Sequence, residues 1–163
     1  MTDDTIFDQP IGGFLDAIAS DAPVPGGGSV SAYTAAAGMA LVVMALEISV
    51  KTAEDAAPFT DLIGRGRTVI AELKASLVAD IESFSAYMAA LKMPKGTDEE
   101  VAARKAAMGQ AALNSTAVPV AAAAHCVEGL KLAVEARAIC RPAILSDVYA
   151  GANLLEASCR SIL

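Results

Sequence analysis

Residues 22–32 read Ala-Pro-Val-Pro-Gly-Gly-Gly-Ser-Val-Ser-Ala, and an uncharged run from Val30 to Leu46 follows at once. Pro23 and Pro25 fix an extended entry. Gly26, Gly27 and Gly28 then permit backbone geometries and close approaches that a side chain forbids. Ser29 has the chemistry of an N-cap for a helix running from Val30. Such a turn aims free N–H groups and the positive end of a helix at one point, which suits an anionic or polar ligand. A plain turn between two packed helices satisfies the same residues, since a lone glycine cluster is a weak signal.

Outward from that turn, the composition points to helices. Aromatic residues make up 4% of the 163-residue chain and tryptophan is absent, so the core must be filled by Ala, Val, Leu and Met. That is a core of close helices, not of sheets rich in aromatic and β-branched residues. The length suits one domain, residues 1–163, with a real core. A formal net charge of −7 argues against a nucleic-acid partner. The acidic start MTDDTIFDQP lacks the basic and apolar stretches of a signal peptide. Cys126, Cys140 and Cys159 are widely spaced, with no CxxC pair, as reduced cytoplasmic thiols would be. Two uncharged runs, Val30–Leu46 and Ala106–Val127, need a membrane check. The first is short and holds Ser, Thr, Tyr and Gly; the second holds Gln110, Asn114, Pro119 and His125. Both read as buried helices of a bundle with no membrane partner.

Helix signals recur along the chain. A short first helix spans Ile11 to Ser20, and a second Ser29 to about Thr52, apolar all round and therefore central. Pro58 opens a third, which reaches about Lys92. Met93-Pro94-Lys95-Gly96 breaks it, and Thr97-Asp98-Glu99-Glu100 has the form of a capping box for a fourth. Pro119 kinks or restarts that helix, which runs to about Ala138. Ser146 or Asp147 can cap a last helix. No alternating strand pattern appears, and the architecture expected is an all-α multi-helix bundle.

There is no P-loop, GxSxG or HExxH, and no cluster of His, Cys, Asp or Glu with metal-ligand spacing, so no metal is expected. His125, the one histidine, reads as a core or interface residue, and Met39 and Met44 as core fillers. Carboxylates in apolar settings are stronger candidates. Asp80 lies between Leu77-Val78-Ala79 and Ile81 with Phe84 on its face, and Asp147 stands where a helix begins. Either can act as a proton acceptor; spacing alone equally makes one a solvated residue and the other a cap.

Three stretches resemble the cyclodeaminase/cyclohydrolase family, that of the C-terminal domain of formiminotransferase-cyclodeaminase and of stand-alone methenyltetrahydrofolate cyclohydrolases. The first is Phe14-Leu15-Asp16-Ala17-Ile18-Ala19-Ser20 with Pro23 to Ala32. The second runs from Asp80 and Phe84 through Leu91-Lys92-Met93-Pro94-Lys95 and Arg104 to Gln110-Ala111-Ala112 and Val118-Pro119. The third is Ser146-Asp147-Val148. The resemblance implies an all-helical homodimer with a cleft for a tetrahydrofolate derivative, acting on that substrate without a further cofactor. It implies one of two reactions: water addition to 5,10-methenyltetrahydrofolate giving 10-formyltetrahydrofolate, or closure of 5-formiminotetrahydrofolate with release of ammonia. On this basis Asp147, Asp80 and Lys51 are the catalytic candidates. Gly26, Gly27, Gly28, Ser29, Lys95, Arg104 and Ser146 are the substrate-binding ones, with Arg104 suited to a glutamate tail.

The chain also departs from the family pattern. Where relatives carry an Asn-Leu-Thr-like stretch and a lysine-rich run, this chain has Ala45-Leu46-Glu47-Ile48-Ser49-Val50-Lys51-Thr52-Ala53-Glu54-Asp55, with one lysine and three acidic residues. A cyclohydrolase is the first expectation, a cyclodeaminase the second, and a divergent folate- or pterin-binding protein without turnover the third.

Overall fold

The computed structural model describes Phe7 and residues 10–163, and among these every regular element is helical. The remainder of the acidic start, inspected above for a signal peptide, lies outside the described residues. The helices are α1 (Ile11–Ile18), α2 (Gly27–Val50), α3 (Ala57–Leu91), α4 (Asp98–Ile139) and α5 (Leu145–Ile162), the last entered through a 3₁₀ turn at Pro142–Ile144.

α2 is the central helix, packed against α3, α4 and α5. Its apolar residues run all round, and Met39, Val42, Ala45 and Leu46 are fully buried. Met44, expected as a core filler beside Met39, is 39% exposed. α2 and α5 approach at a pair of glycines: a Cβ on Gly38 would stand 2.8 Å from the Gly151 carbonyl oxygen. Farther along, the Arg141 N–H donates to Ser49 Oγ at 3.1 Å. These two contacts make α5 antiparallel to α2, with its first turn beside the C-terminal half of α2.

Local signals explain the helix ends. Pro58 lies in the first turn of α3, where its missing N–H costs nothing. Thr97 and Glu100 form the expected capping box of α4, with Glu100 N–H donating to Thr97 Oγ1 at 3.2 Å. α4 continues unbroken through Pro119. α5 starts earlier than expected: Ile144 is its N-cap, no side chain caps it, and Asp147 sits inside the first turn. The 3₁₀ turn at Pro142 already sets the helical direction.

Burial is uneven along α4. Of the run Ala106–Val127, expected as a buried helix, only Ala111, Ala122, Ala123 and Cys126 are buried. The bundle covers one face of α4, and alanine is compatible with either side. Both α2 and α4 are long and apolar enough to cross a membrane by length and composition. Past Asp80, α3 and α4 continue as a two-helix arm in which, from Glu82 to Ala117, only Ala90 and Ala111 are buried. Arg65 ties the other end of α3 to α4 through a bidentate pair with Glu135, both bonds 3.0 Å.

Candidate active site at the glycine turn

The glycine turn and Asp80, 51 residues from Ser29, meet in space. α2 begins at Gly27 with Gly26 as its N-cap, so Ser29 lies in the first turn and not at the cap. Its buried hydroxyl donates instead to Asp80 Oδ2 at 2.5 Å. The carboxylate rests against Gly28: a Cβ there would lie 2.8 Å from Asp80 Cγ and collide with Oδ1. Gly28 is therefore the space that Asp80 occupies. The negative group expected at the positive end of α2 is the chain's own carboxylate.

Two further contacts hold this corner. Ser83 Oγ donates to the Asp80 backbone carbonyl at 3.0 Å. α1 lies over the adjoining surface, where Phe14 is buried with Ala32 and Leu77 and its ring centroid stands 5.0 Å from that of Tyr33. Asp80 itself is half-buried, so it is held without being sealed from solvent.

Lys95 and Arg104 come together at the tip of the α3–α4 arm. They line a cavity of about 470 Å³ with Val101, Lys105 and Met108. Arg104 Nε and Nη2 also donate to the Leu91 carbonyl, at 3.4 and 3.3 Å, satisfying an orphan acceptor at the end of α3. Lys105 was not singled out in the sequence, although it adjoins Arg104 and adds a third cation. Asp80 and Leu91 lie about 16 Å apart along α3. The arm thus carries a carboxylate at its base, and at its tip a cavity lined by three cations, beside the acidic first turn of α4 formed by Asp98, Glu99 and Glu100. A second cavity, of about 410 Å³, lies between Ala86 and Ala90 of α3, Met93 just beyond its end, and Gln110 and Asn114 of α4.

The remaining candidates lie elsewhere in the chain. Asp147 is half-buried and Ser146 exposed in the first turn of α5. Since Gly38 faces Gly151 and Ser49 faces Arg141, Asp147 lies level with about Val42, about 20 Å along α2 from Ser29. Lys51 follows the last residue of α2, exposed and about 35 Å from the glycine turn. His125 Nε2 stands 4.0 Å from Glu72 Oε2 on the α3–α4 surface. Among the described residues no group of three or more His, Cys, Asp or Glu side chains converges.

The chain as a whole is similar to known proteins. The family model for formiminotransferase-cyclodeaminase matches residues 10–163, and the chain belongs to that family. A methenyltetrahydrofolate cyclohydrolase of Methylorubrum extorquens is 38% identical over 123 residues, covering 74% of this chain and 59% of that protein. A formimidoyltransferase-cyclodeaminase of Gallus gallus is 35% identical over 161 residues, covering 92% of this chain and 28% of that protein. The chain therefore spans about three fifths of the length of the first of these relatives and about three tenths of the second. A crystal structure of formiminotetrahydrofolate cyclodeaminase from Thermotoga maritima matches 97% of this chain and 76% of its own, with a TM-score of 0.83 at 18% identity. That likeness is one of fold.

Proposed function

We propose that this chain is a folate enzyme, a methenyltetrahydrofolate cyclohydrolase that works in the cytoplasm as a homodimer and needs no cofactor beyond its substrate. The observation that carries the reading is the Asp80 carboxylate, held by Ser29 against Gly28 at the base of an arm whose tip holds a cavity lined by Lys95, Arg104 and Lys105. The methenyl carbon of the substrate belongs to an amidinium-like cation, and the glutamate tail is anionic. Asp80 and the lining of the tip cavity present the opposite charges in that order.

The reaction needs little more than a positioned base. Water oxygen bonds to the methenyl carbon and loses a proton to Asp80. The hydroxyl of that adduct then gives up its proton as the formyl C=O forms and the carbon–N5 bond breaks; the electron pair of that bond stays on N5, which takes up a proton, leaving the formyl group on N10. One proton is released overall, because a cation and water become a neutral product. Positioned acid–base groups supply about 10²–10⁴-fold each. The Ser29 hydrogen bond leaves Asp80 with acceptor positions free for the water. Lys95, Arg104 and Lys105 hold the tail carboxylates, the guanidinium as a fork and the ammonium groups as point charges.

The 38% identity to a protein named as a cyclohydrolase supports this reading. The cyclodeaminase reaction is the second, supported by the Gallus gallus relative across 92% of the chain. The test follows the loss of 5,10-methenyltetrahydrofolate with and without protein, where spontaneous hydrolysis is slow. The wild-type chain accelerates it, Asp80→Asn removes most of the acceleration, and Arg104→Ala raises KM more than it lowers kcat. Asp147→Ala is assayed beside them: loss there with Asp80→Asn active moves the base to Asp147. No acceleration by the wild type, with ammonia released from the formimino substrate, establishes the second reaction. Tight folate binding without either turnover establishes a binding protein.

A further inference from the structure

The two sides of α3 differ within the arm. At 3.6 residues per turn, Asp80, Phe84, Tyr87 and Leu91 fall within one sector of about 60°. Phe84, Tyr87 and Leu91 follow Asp80 along the helix by about 6, 10 and 16 Å. Phe84 is 37% exposed and Tyr87 is half-buried. Leu91 ends the row, and its carbonyl accepts from Arg104 of the tip cavity. The cavity of about 410 Å³ lies on the other side, lined by Ala86 and Ala89, which stand about 120° or more round the helix from Asp80. A substrate that reaches Asp80 therefore crosses the aromatic side of the arm and not that cavity.

Aromatic side chains are scarce in this chain, with four phenylalanines and three tyrosines in 163 residues. Phe14, Tyr33 and Phe59 pack in the core. Phe84 and Tyr87 belong to neither core cluster, and their neighbours along the arm are alanines at 86, 89 and 90. Burial does not account for two rings at these positions. We infer that Phe84 and Tyr87 form the platform on which the p-aminobenzoyl ring of a folate stacks. This rests on the folate reading above and locates the middle of the substrate. That ring stands between the reacting carbon and the tail: its nitrogen is N10, bonded to the methenyl carbon, and its carbonyl carries the glutamate. The row on α3 runs in the same order, from Asp80 through two rings to the cations of the tip cavity. A flat ring stacks on aromatic faces in offset or edge-to-face contact. Holding it fixes N10, and through N10 the methenyl carbon, with respect to the Asp80 carboxylate.

Tryptophan is absent from the chain, so one introduced indole reports its own surroundings. The full chain carrying Phe84→Trp is titrated with p-aminobenzoylglutamate and, separately, with tetrahydropterin, which lacks that ring and the tail. Tyr149→Trp is the control, since Tyr149 lies on α5 beside Arg137. p-Aminobenzoylglutamate should quench the Phe84→Trp emission to saturation and leave that of Tyr149→Trp unchanged. In the hydrolysis assay, Phe84→Leu and Tyr87→Leu should each raise KM by about threefold to tenfold with a smaller fall in kcat. Phe84→Tyr and Tyr87→Phe, which keep a ring, should retain the wild-type KM, and circular dichroism of every variant should stay helical. Quenching by tetrahydropterin alone, or a wild-type KM in both leucine variants, overturns the platform while the folate reading stands. Quenching by p-aminobenzoylglutamate without turnover of either folate substrate keeps the platform and overturns the enzyme. Neither quenching nor turnover overturns both.

Discussion

Replacing Gly28 by alanine tests the corner where the glycine turn meets Asp80. An alanine Cβ would lie 2.8 Å from Asp80 Cγ and 3.0 Å from Oδ2, closer than atoms pack, so the carboxylate must swing away. Swinging away breaks the bond from Ser29 Oγ. A hydrogen bond to a charged group contributes about 1.5–3 kcal/mol. Alanine in place of glycine returns at most about 1 kcal/mol of helix propensity, less in a first turn. Gly28→Ala should therefore destabilise the chain by about 0.5–3 kcal/mol. In an Asp80→Ala background nothing is displaced, and the same substitution should be neutral or stabilising by up to about 1 kcal/mol. The coupling between the two positions is then about 1.5–3 kcal/mol, typical of groups in direct contact. Urea unfolding of the four proteins, at equal concentration so that self-association is constant, reads it directly. Hydrolysis of the methenyl substrate by Gly28→Ala should fall with the loss of a placed base, by about 10²–10⁴-fold. The reasoning is refuted if Gly28→Ala shifts stability by the same sign and amount in both backgrounds.

Three other expectations follow from the packing. Gly151→Ala places a Cβ against the Gly38 carbonyl and 2.8 Å from Val42 Cγ2; such overpacking costs about 1–3 kcal/mol, and a melting temperature unchanged from wild type would show that α2 and α5 do not cross there. The Glu135 carboxyl is held below its usual range by its hydrogen bond from Arg65, so its contribution is full above the unfolded carboxylate range and fades as pH falls through the lowered folded value. The stability difference between wild type and Glu135→Gln should therefore be constant above about pH 5 and close at lower pH; a difference unchanged at pH 3 would remove that account. Burial, and secondarily the neighbouring Cys159, push the Cys126 thiol up to about 11. Its thiolate fraction at neutral pH is roughly a hundredfold below that of an ordinary thiol, and a colorimetric disulfide reagent should label it only after unfolding.

The helices were legible because their signals are local. Thr97 and Glu100 are three residues apart, and the Met93–Gly96 breaker and Pro58 act on their own neighbours. The start of α2 was off by two residues because Ser29 has two possible partners, its own helix and a distant carboxylate. The cap reading assumed the first. The hydrogen bond to Asp80 depends on how α3 returns past α2, which no window around Ser29 contains. Exposure of α4 was hidden for a different reason: alanine does not report which side of a helix faces the core. Arg104 had a visible charge but a hidden duty, closing the end of α3 through the Leu91 carbonyl.

The two carboxylates singled out in the sequence cannot share one water within one chain. Asp80 and Asp147 are separated by about 20 Å along α2, so at most one of them can be the proposed base of a site built within one chain. The surroundings favour Asp80. A base gains from being oriented before the substrate arrives, and Asp80 is fixed by the Ser29 hydroxyl, the missing side chain of Gly28 and the packing of α1 over the adjoining surface. Asp147 takes no side-chain hydrogen bond among the described residues, and its place in the first turn of α5 already suits a negative charge to the helix it begins. The shared Ser-Asp motif then has a structural explanation, favourable charge at a helix start. The glycine turn has a chemical one: Gly28 is small because a carboxylate must stand where its side chain would be.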